Sequence, residues 1–332
     1  MEQSGGSEGK AAQEGKAVEE DKPVQDGKPD LLVLRALKLG DLLVAVPALH
    51  ALRRAHPEHR LRYAAQGWLS EALGLVGGFE LLPTHGLDEP LAVEPGTVDV
   101  AVNLHGSGPE SQERIEAVRA RLTIGHSSQY RDGPPWRPEL HERERWVRLL
   151  EWHGIEADPL DFRLSLPPVP SPFPAATVLH VGAAYGSRLW PADRFAAVAS
   201  RLAESCHHVI FTGGAGERER ALDVCLRAGL PATAVLAGSL SLNEFAATIA
   251  AARLVVSADT GAAHLASAYG TPSVVLFGPA PPEIWGPPPG PHLVLTRPEL
   301  RRGDTFAKDP DPALLAVSIQ DVLAAVRSLG LF

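Results

Sequence analysis

Short, continuously apolar runs alternate with amphipathic stretches along most of the chain. Residues 31–34, LLVL, have strand length and no polar position, as a strand buried on both faces requires. A loop, Arg35-Ala36-Leu37-Lys38-Leu39-Gly40, leads to Asp41 and then to LLVAVPALHALRRAHP, whose apolar spacing is helical with Pro47 near its first turns. A second strand is expected at 60–64, and strand, helix, strand in that order is a βαβ unit. VDVAVNL at 98–104 reads as another buried strand ending at His105-Gly106-Ser107-Gly108-Pro109, and ARLTIGH at 120–126 as one more. A charged helix rich in Arg, Glu and Trp is expected at 141–153.

The Pro-rich segment LPPVPSPFP at 166–174 interrupts this pattern and is the best candidate for a linker. The alternation then restarts, with strands at 177–182, 208–214, 232–238, 253–259 and 273–278. Helices are expected at 191–205, 216–228, 241–252 and 261–269, and a last one at 313–329 that packs back across the junction. Residues 1–29 carry hardly any large apolar side chain, too few to offset the entropy of ordering them, so a disordered tail is expected there. The chain thus divides into that tail and two Rossmann-like α/β domains, 30–168 and 169–332, facing a cleft.

Composition narrows the function classes. The 332 residues carry 31 Lys+Arg against 40 Asp+Glu, a net charge of −9, which argues against sequence-independent nucleic-acid binding. Two cysteines, Cys206 and Cys225, make no disulfide framework and no CxxC pair, so a reducing compartment is expected. No apolar run approaches a membrane span, and the opening MEQSGGSEGKAAQEGK lacks the apolar core of a signal peptide. A cytoplasmic protein is expected. The basic run Arg53, Arg54, His56, His59, Arg60 and Arg62 reads as a solvated helix end, with an anionic acceptor or a membrane surface as the alternative use.

Four segments have chemistry to offer. Ser257-Ala258-Asp259-Thr260-Gly261-Ala262-Ala263-His264 lies where a buried strand gives way to a helix, and free amides with the positive end of the helix dipole suit a phosphate there. A plain Asp/Thr cap with a core His accounts for the same residues. Gly186-Ser187-Arg188-Leu189-Trp190-Pro191 offers Arg188 as a fork for a diphosphate, or a solvated Arg beside a structural Trp. Gly213-Gly214-Ala215-Gly216-Glu217 places Glu217 where it can hold ribose hydroxyls; it fails the GxGxxG fingerprint because Glu219 stands at the third glycine. Gly40-Asp41 puts a carboxylate at the carboxyl edge of the first sheet, as a general base or as a helix cap. No P-loop, GxSxG elbow, HExxH or paired metal-ligand spacing is present.

Taken together, LVLRALKLGDLLVAVPALHALRRAHP, VDVAVNLHGSGPESQ, VLHVGAAYGSRLWPADRF and ADTGAAHLASAYGTPSVVLFGP, in this order, resemble the ADP-heptose:lipopolysaccharide heptosyltransferase family, glycosyltransferase family 9. The similarity runs from about residue 31 to 330. It implies a GT-B fold and inverting, metal-independent transfer from an ADP-heptose-like donor, needing no cofactor, to a hydroxyl of a glycan, glycolipid or small molecule. The first domain would take the acceptor and the second the nucleotide sugar. The resemblance also implies that Asp41 is the catalytic base. On the donor it places Asp259, Thr260, Gly261 and His264 at the diphosphate and sugar, Glu217 at the ribose and Leu240 near adenine. Gly40, His105, Gly106 and Ser107 fall on the acceptor side. Arg188 stands where the family often has Lys in its KxWP motif, which keeps the charge but changes its reach and hydrogen-bond geometry. A nucleotide-sugar epimerase or a non-catalytic sugar-nucleotide-binding module on the same scaffold are the alternatives, and a peripheral contact with membrane stays open.

Overall fold

A computed structural model describes residues 27–332. The tail expected at 1–29 therefore lies outside the described residues, apart from its last three. In chain order the first half contains β1 (Asp30–Leu34), α1 (Leu39–Val44), α2 (Val46–Ala55), β2 (Arg60–Ala65), α3 (Ser70–Val76), β3 (Glu80–Pro83), β4 (Val98–Asn103), α4 (Pro109–Glu116), β5 (Leu122–Ile124) and α5 (Glu142–Trp152). The second half contains β6 (Thr177–His180), α6 (Ala192–Glu204), β7 (Val209–Thr212), α7 (Arg218–Arg227), α8 (Leu242–Ala250), β8 (Leu254–Ala258), α9 (Gly261–Tyr269), β9 (Ser273–Leu276), α10 (Pro282–Trp285), β10 (His292–Leu295), α11 (Pro312–Leu315) and α12 (Ile319–Ser328). Among the described residues no helix is long and apolar enough to cross a membrane.

Each half is built on one parallel five-stranded sheet, in the orders β3-β2-β1-β4-β5 and β10-β9-β8-β6-β7. Parallel strands need both faces covered, which is why β8 is buried along its whole length and β1 from Leu31 to Leu34. In each sheet the order reverses beside the first strand, at β1/β4 and at β6/β8. Doubly wound sheets bind ligands at the carboxyl ends of such a pair, because the two loops there diverge to opposite faces and leave a crevice.

Three expected elements come out differently. Residues 232–238 do not form a strand. They make a 3-10 turn at Ala232–Ala234 and a single bridge, Phe211 to Val235, at the place where a strand next to β7 would complete the six-strand Rossmann order. The segment is pinned by Leu236 N–H to Phe211 O at 2.8 Å and Gly238 N–H to Gly213 O at 3.0 Å, with Gly238 at φ +74° ending it. The helix after β1 breaks at Ala45, because Pro47 lacks the N–H that would continue the ladder and instead opens α2. The last helix is split into α11 and α12, and α12 packs on α6, β9 and β10 within the second half, not across the junction. There Ser318 caps it, accepting from Asp321 N–H at 3.1 Å.

The halves are not loosely tethered. One apolar core runs from Leu31, Leu39, Leu42 and Leu73 of the first half into Ala246, Ile249, Ala262 and Leu265 of the second. Polar contacts flank that seam: Asn243 N–H donates to Glu71 Oε2 at 2.6 Å, and His141 Nε2 lies 3.1 Å from Gly286 O. The first sheet keeps a second core on its other face, around Leu32, Leu34, Val98 and Ile115. The second half has its own, around Trp190, Phe195, Phe211 and Val256.

Candidate functional site

A cleft of about 920 Å³ opens between the halves at the carboxyl ends of both sheets. Its first wall is the loop after β1 and the start of α1. Arg35, 1% exposed, turns under this loop and organises it. Its Nε donates to Asp41 O at 2.6 Å, Nη1 donates to Leu104 O, and Nη2 donates to Glu142 Oε1 at 3.2 Å. The guanidinium also stacks on Trp146, 4.8 Å from the ring centroid. Glu142 is shared with Arg145 Nη1 and accepts from Trp146 Nε1 at 3.1 Å.

Asp41 stands on that base. It occupies the third position of α1, where its Oδ2 accepts from the Lys38 N–H at 3.2 Å, and its Oδ1 lies 3.7 Å from Arg35 Nη2. The carboxylate is nonetheless 27% exposed and lines the cleft, so a capping contact and access to a ligand coexist. Lys38, not Asp41, is the N-cap residue.

The second wall is the β8–α9 junction. Asp259 is buried, with Oδ2 3.2 Å from Arg188 Nη1 and Oδ1 3.6 Å from His264 Nε2; Arg188 Nη1 also donates to Asp259 O at 3.3 Å. Thr260, extended at φ −146°, is the N-cap of α9, yet its Oγ1 has no hydrogen-bond partner, and neither has Arg188 Nε. At the start of this nine-residue helix Ala263 and His264 N–H already bond to Thr260 O at 3.1 and 3.4 Å. That leaves the Gly261 and Ala262 amides and the positive end of the dipole at the corner, beside Asp259 Oδ2, a buried acceptor that itself has no hydrogen bond. Glycine at 261 lets the halves close here, because a Cβ would lie 2.8 Å from Leu39 Cδ2 across the seam and force that side chain to shift. Gly40 faces the same crossing, its Cβ position 3.2 Å from His264 Cδ2.

Deeper in the second half, Glu217 lies against Gly182 and Gly213 and its Oε2 accepts from Gly214 N–H at 2.6 Å. Any side chain at Gly182 would overlap the carboxylate, at 1.9 Å. His180 Nδ1 is 3.0 Å from Thr212 Oγ1 and its ring packs 5.5 Å from that of Phe245; burial holds its pKa below the usual imidazole value, with Glu217 opposing. Leu240 lines this end with Leu236 and Ser241.

Asp41, Gly40, Arg188, Glu217, Leu240, Asp259, Thr260, Gly261 and His264 therefore share one cleft. His105, Gly106 and Ser107 are not among its lining residues. His105 supports the first wall from behind, its Nδ1 accepting from Ala36 N–H at 3.2 Å, and burial pushes its pKa down to about 4. Gly106 O lies 3.5 Å from Ser111 Oγ, and Ser107 is exposed. The basic run at 53–62 serves packing: Arg53 donates to Val76 O at 2.8 Å and Gly77 O at 2.7 Å, Arg54 pairs with Asp161, His59 with Asp99, and Arg60 and Arg62 with Asp30. Sequence reasoning passed over Lys38, Trp68, Tyr185 and Phe306, which also line the cleft. The one signal available was proximity, Lys38 to Asp41 and Tyr185 to Gly186.

Residues 166–306 match the model of a family described as glycosyltransferase family 9 (heptosyltransferase). Lipopolysaccharide heptosyltransferase 2 of Salmonella typhimurium is 30% identical over 158 residues, 45% of this chain and 44% of that protein. The chain thus matches less than half the length of that relative in sequence. In structure the similarity is wider. A glycosyl transferase family 9 protein of Veillonella parvula superposes with a TM-score of 0.71 at 20% identity, over 92% of this chain and 97% of that one. The E. coli heptosyltransferase WaaC with ADP gives 0.68 at 17% identity, over 90% and 99%. The shared architecture is the GT-B fold.

Proposed function

We propose that the chain is a member of glycosyltransferase family 9, whose model its residues 166–306 match, and that it transfers a heptose-like sugar from an ADP-activated donor to a hydroxyl of a glycan, glycolipid or small molecule, with inversion and without a metal. The first acceptor to try is a lipopolysaccharide-type glycan, after the names of its relatives. The observation that carries the reading is that Asp41 and the donor-rich corner at Arg188 and α9 line the same cleft, with Gly40 packed on His264 between them. A sugar held there has a carboxylate on one side and an anion site on the other.

In this scheme Asp41 takes the proton from the acceptor hydroxyl as its oxygen bonds to the anomeric carbon. The bond from that carbon to the diphosphate oxygen breaks on the opposite face, and the electron pair leaves with ADP. Arg188, Thr260 Oγ1 and the first amides of α9, Gly261 included, take up the charge on the departing diphosphate. Asp259 acts through Arg188 and His264, fixing both. Glu217 meets the ribose hydroxyls, Leu240 packs near adenine, and His105, Gly106 and Ser107 flank the acceptor's approach. Domains bounded at 30–168 and 169–332, and a cytoplasmic setting with a peripheral approach to membrane for a glycolipid acceptor, complete the proposal.

Thermal stabilisation by ADP-heptose, ADP-glucose, UDP-sugars, GDP-sugars and ADP tests the donor. A ligand at a hundred times its Kd adds about 2.7 kcal/mol to the native state. ADP-heptose should give the largest shift; a preference for UDP- or GDP-sugars sinks the donor assignment. Asp41→Ala should leave donor binding intact while turnover falls by at least about 10²-fold. Arg188→Ala should weaken donor binding, and unchanged affinity would remove it from the site.

A further inference from the structure

The cleft has two side chains of fixed positive charge on its lining, Arg188 and Lys38. Arg188 is already matched by Asp259 at 3.2 Å, so that pair brings a hydrogen-bonding fork to the anion corner but little net charge. Lys38 is different. Among the described residues no carboxylate pairs with its ammonium. Its side chain is exposed, and Nζ lies 4.6 Å from the ring centroid of Tyr185. Tyr185 immediately precedes the Gly186–Arg188 turn of the second half, so a cation from the first half already reaches across the cleft to the loop that carries Arg188. The backbone of Lys38 is fixed independently, as N-cap of α1 with its N–H on Asp41, which leaves the side chain free to move without disturbing the carboxylate.

We propose that Lys38 is the charge-neutralising residue for the donor diphosphate, supplied by the acceptor-side domain, and that it leaves the Tyr185 ring for a phosphate oxygen when donor binds. The proposal rests on the nucleotide-diphosphate reading above. A diphosphate beside α9 would meet one cation already neutralised by its own aspartate. A doubly or triply charged leaving group in a partly enclosed site needs a second. An ammonium resting on an aromatic face is held weakly and gives up that contact for a full anionic partner. The same cation is close in sequence to Asp41, so charge on the leaving group would be compensated from the side that holds the base.

Calorimetric titration of the full chain with ADP, AMP and adenosine tests this without an acceptor. Lys38→Ala should weaken ADP about tenfold, AMP less, and leave adenosine within about twofold; Lys38→Arg should recover most of the loss. Tyr185→Leu separates charge from the cross-cleft clasp and should leave ADP affinity at the native level or slightly tighter. ADP affinity unchanged in Lys38→Ala overturns the proposal and leaves Lys38 to an anionic group on the acceptor. Equal losses for ADP and adenosine, or Tyr185→Leu weakening ADP as much as Lys38→Ala, overturn it in favour of a purely structural clasp. Failure of the native chain to bind ADP at all would instead refute the donor reading on which it stands.

Discussion

Replacing Glu142 with Gln tests whether the buried ion cluster holds the Asp41 loop. Glu142 is 5% exposed and is the carboxylate shared by Arg35, 1% exposed, and Arg145, 5% exposed. Gln keeps the shape, and its amide oxygen can still accept from Trp146 Nε1. Its NH2 group, however, then faces the Arg145 guanidinium, donor against donor. At 3.2 Å and an effective dielectric of about 20, one lost charge pair is worth about 5 kcal/mol before solvation changes. Breaking one partner of a buried pair is measured at about 3–5 kcal/mol. The lower end applies here, because Arg145 retains the carbonyls of Arg137, Pro138 and Leu140 at 3.0–3.1 Å, and Arg35 retains Asp41 O and Leu104 O. Urea unfolding followed by tryptophan fluorescence, with Trp146 inside the cluster, should therefore show a loss of about 3 kcal/mol. Arg35, left with a neutral oxygen in place of the Glu142 charge, should draw in the Asp41 carboxylate now 3.7 Å away and lower turnover as well. A stability loss below about 1 kcal/mol would refute the idea that this cluster supports the loop.

Gly261→Ala should cost about 1–3 kcal/mol by driving a methyl into Leu39, and Leu39→Ala in the same chain should recover part of it; additive losses in Tm would sink the steric account. His126 is buried and His105 and His141 are half-buried, and desolvation pushes each of them down to about 4 from an unfolded value of 6.5. A depressed histidine contributes stability above its unfolded pKa and loses it as pH falls towards the folded one, so Tm should decline between pH 6.5 and 5, before carboxylates titrate; a flat profile there argues against their burial. Gly182→Ala should displace Glu217 and weaken ADP binding, and unaltered affinity would mean that this carboxylate does not shape the nucleotide end.

The elements that could be read in advance are those whose signal is local. The apolar runs of β1 and β8 have one burial solution, and α9 starts where Thr260-Gly261 says it should. The short edge strands β3 and β10 were not legible: four residues ending at or following a proline, paired on one side, look like loop. Residues 232–238 mislead for the opposite reason, since an apolar segment at a sheet edge need not pair beyond one bridge. At the site, positions at strand ends could be read because loops there converge by topology. The use of Arg35 could not. Its burial depends on Glu142, 107 residues later, and sequence spacing carries no trace of that partnership. The same limit hid Lys38, whose direction is set by Tyr185 from the other half.

The two walls of the cleft are held rigid by separate means. Arg35 ties the Asp41 loop to the interior of the first half, and Asp259 ties Arg188 and His264 to the end of β8 in the second. The walls then meet where Gly40 and Gly261 remove the side chains that would keep them apart. A site fixed in this way needs little reorganisation of its dipoles as charge moves from acceptor to leaving group, which is where electrostatic stabilisation is most effective. Rigidity at the crossing also means that entry of a bulky nucleotide has to be accommodated elsewhere. The contact suited to give way is the Lys38–Tyr185 pair, which joins the halves through one exposed side chain and one ring. Opening it costs a weak cation–π contact, whereas opening the Gly40–His264 crossing would unpack the shared apolar core.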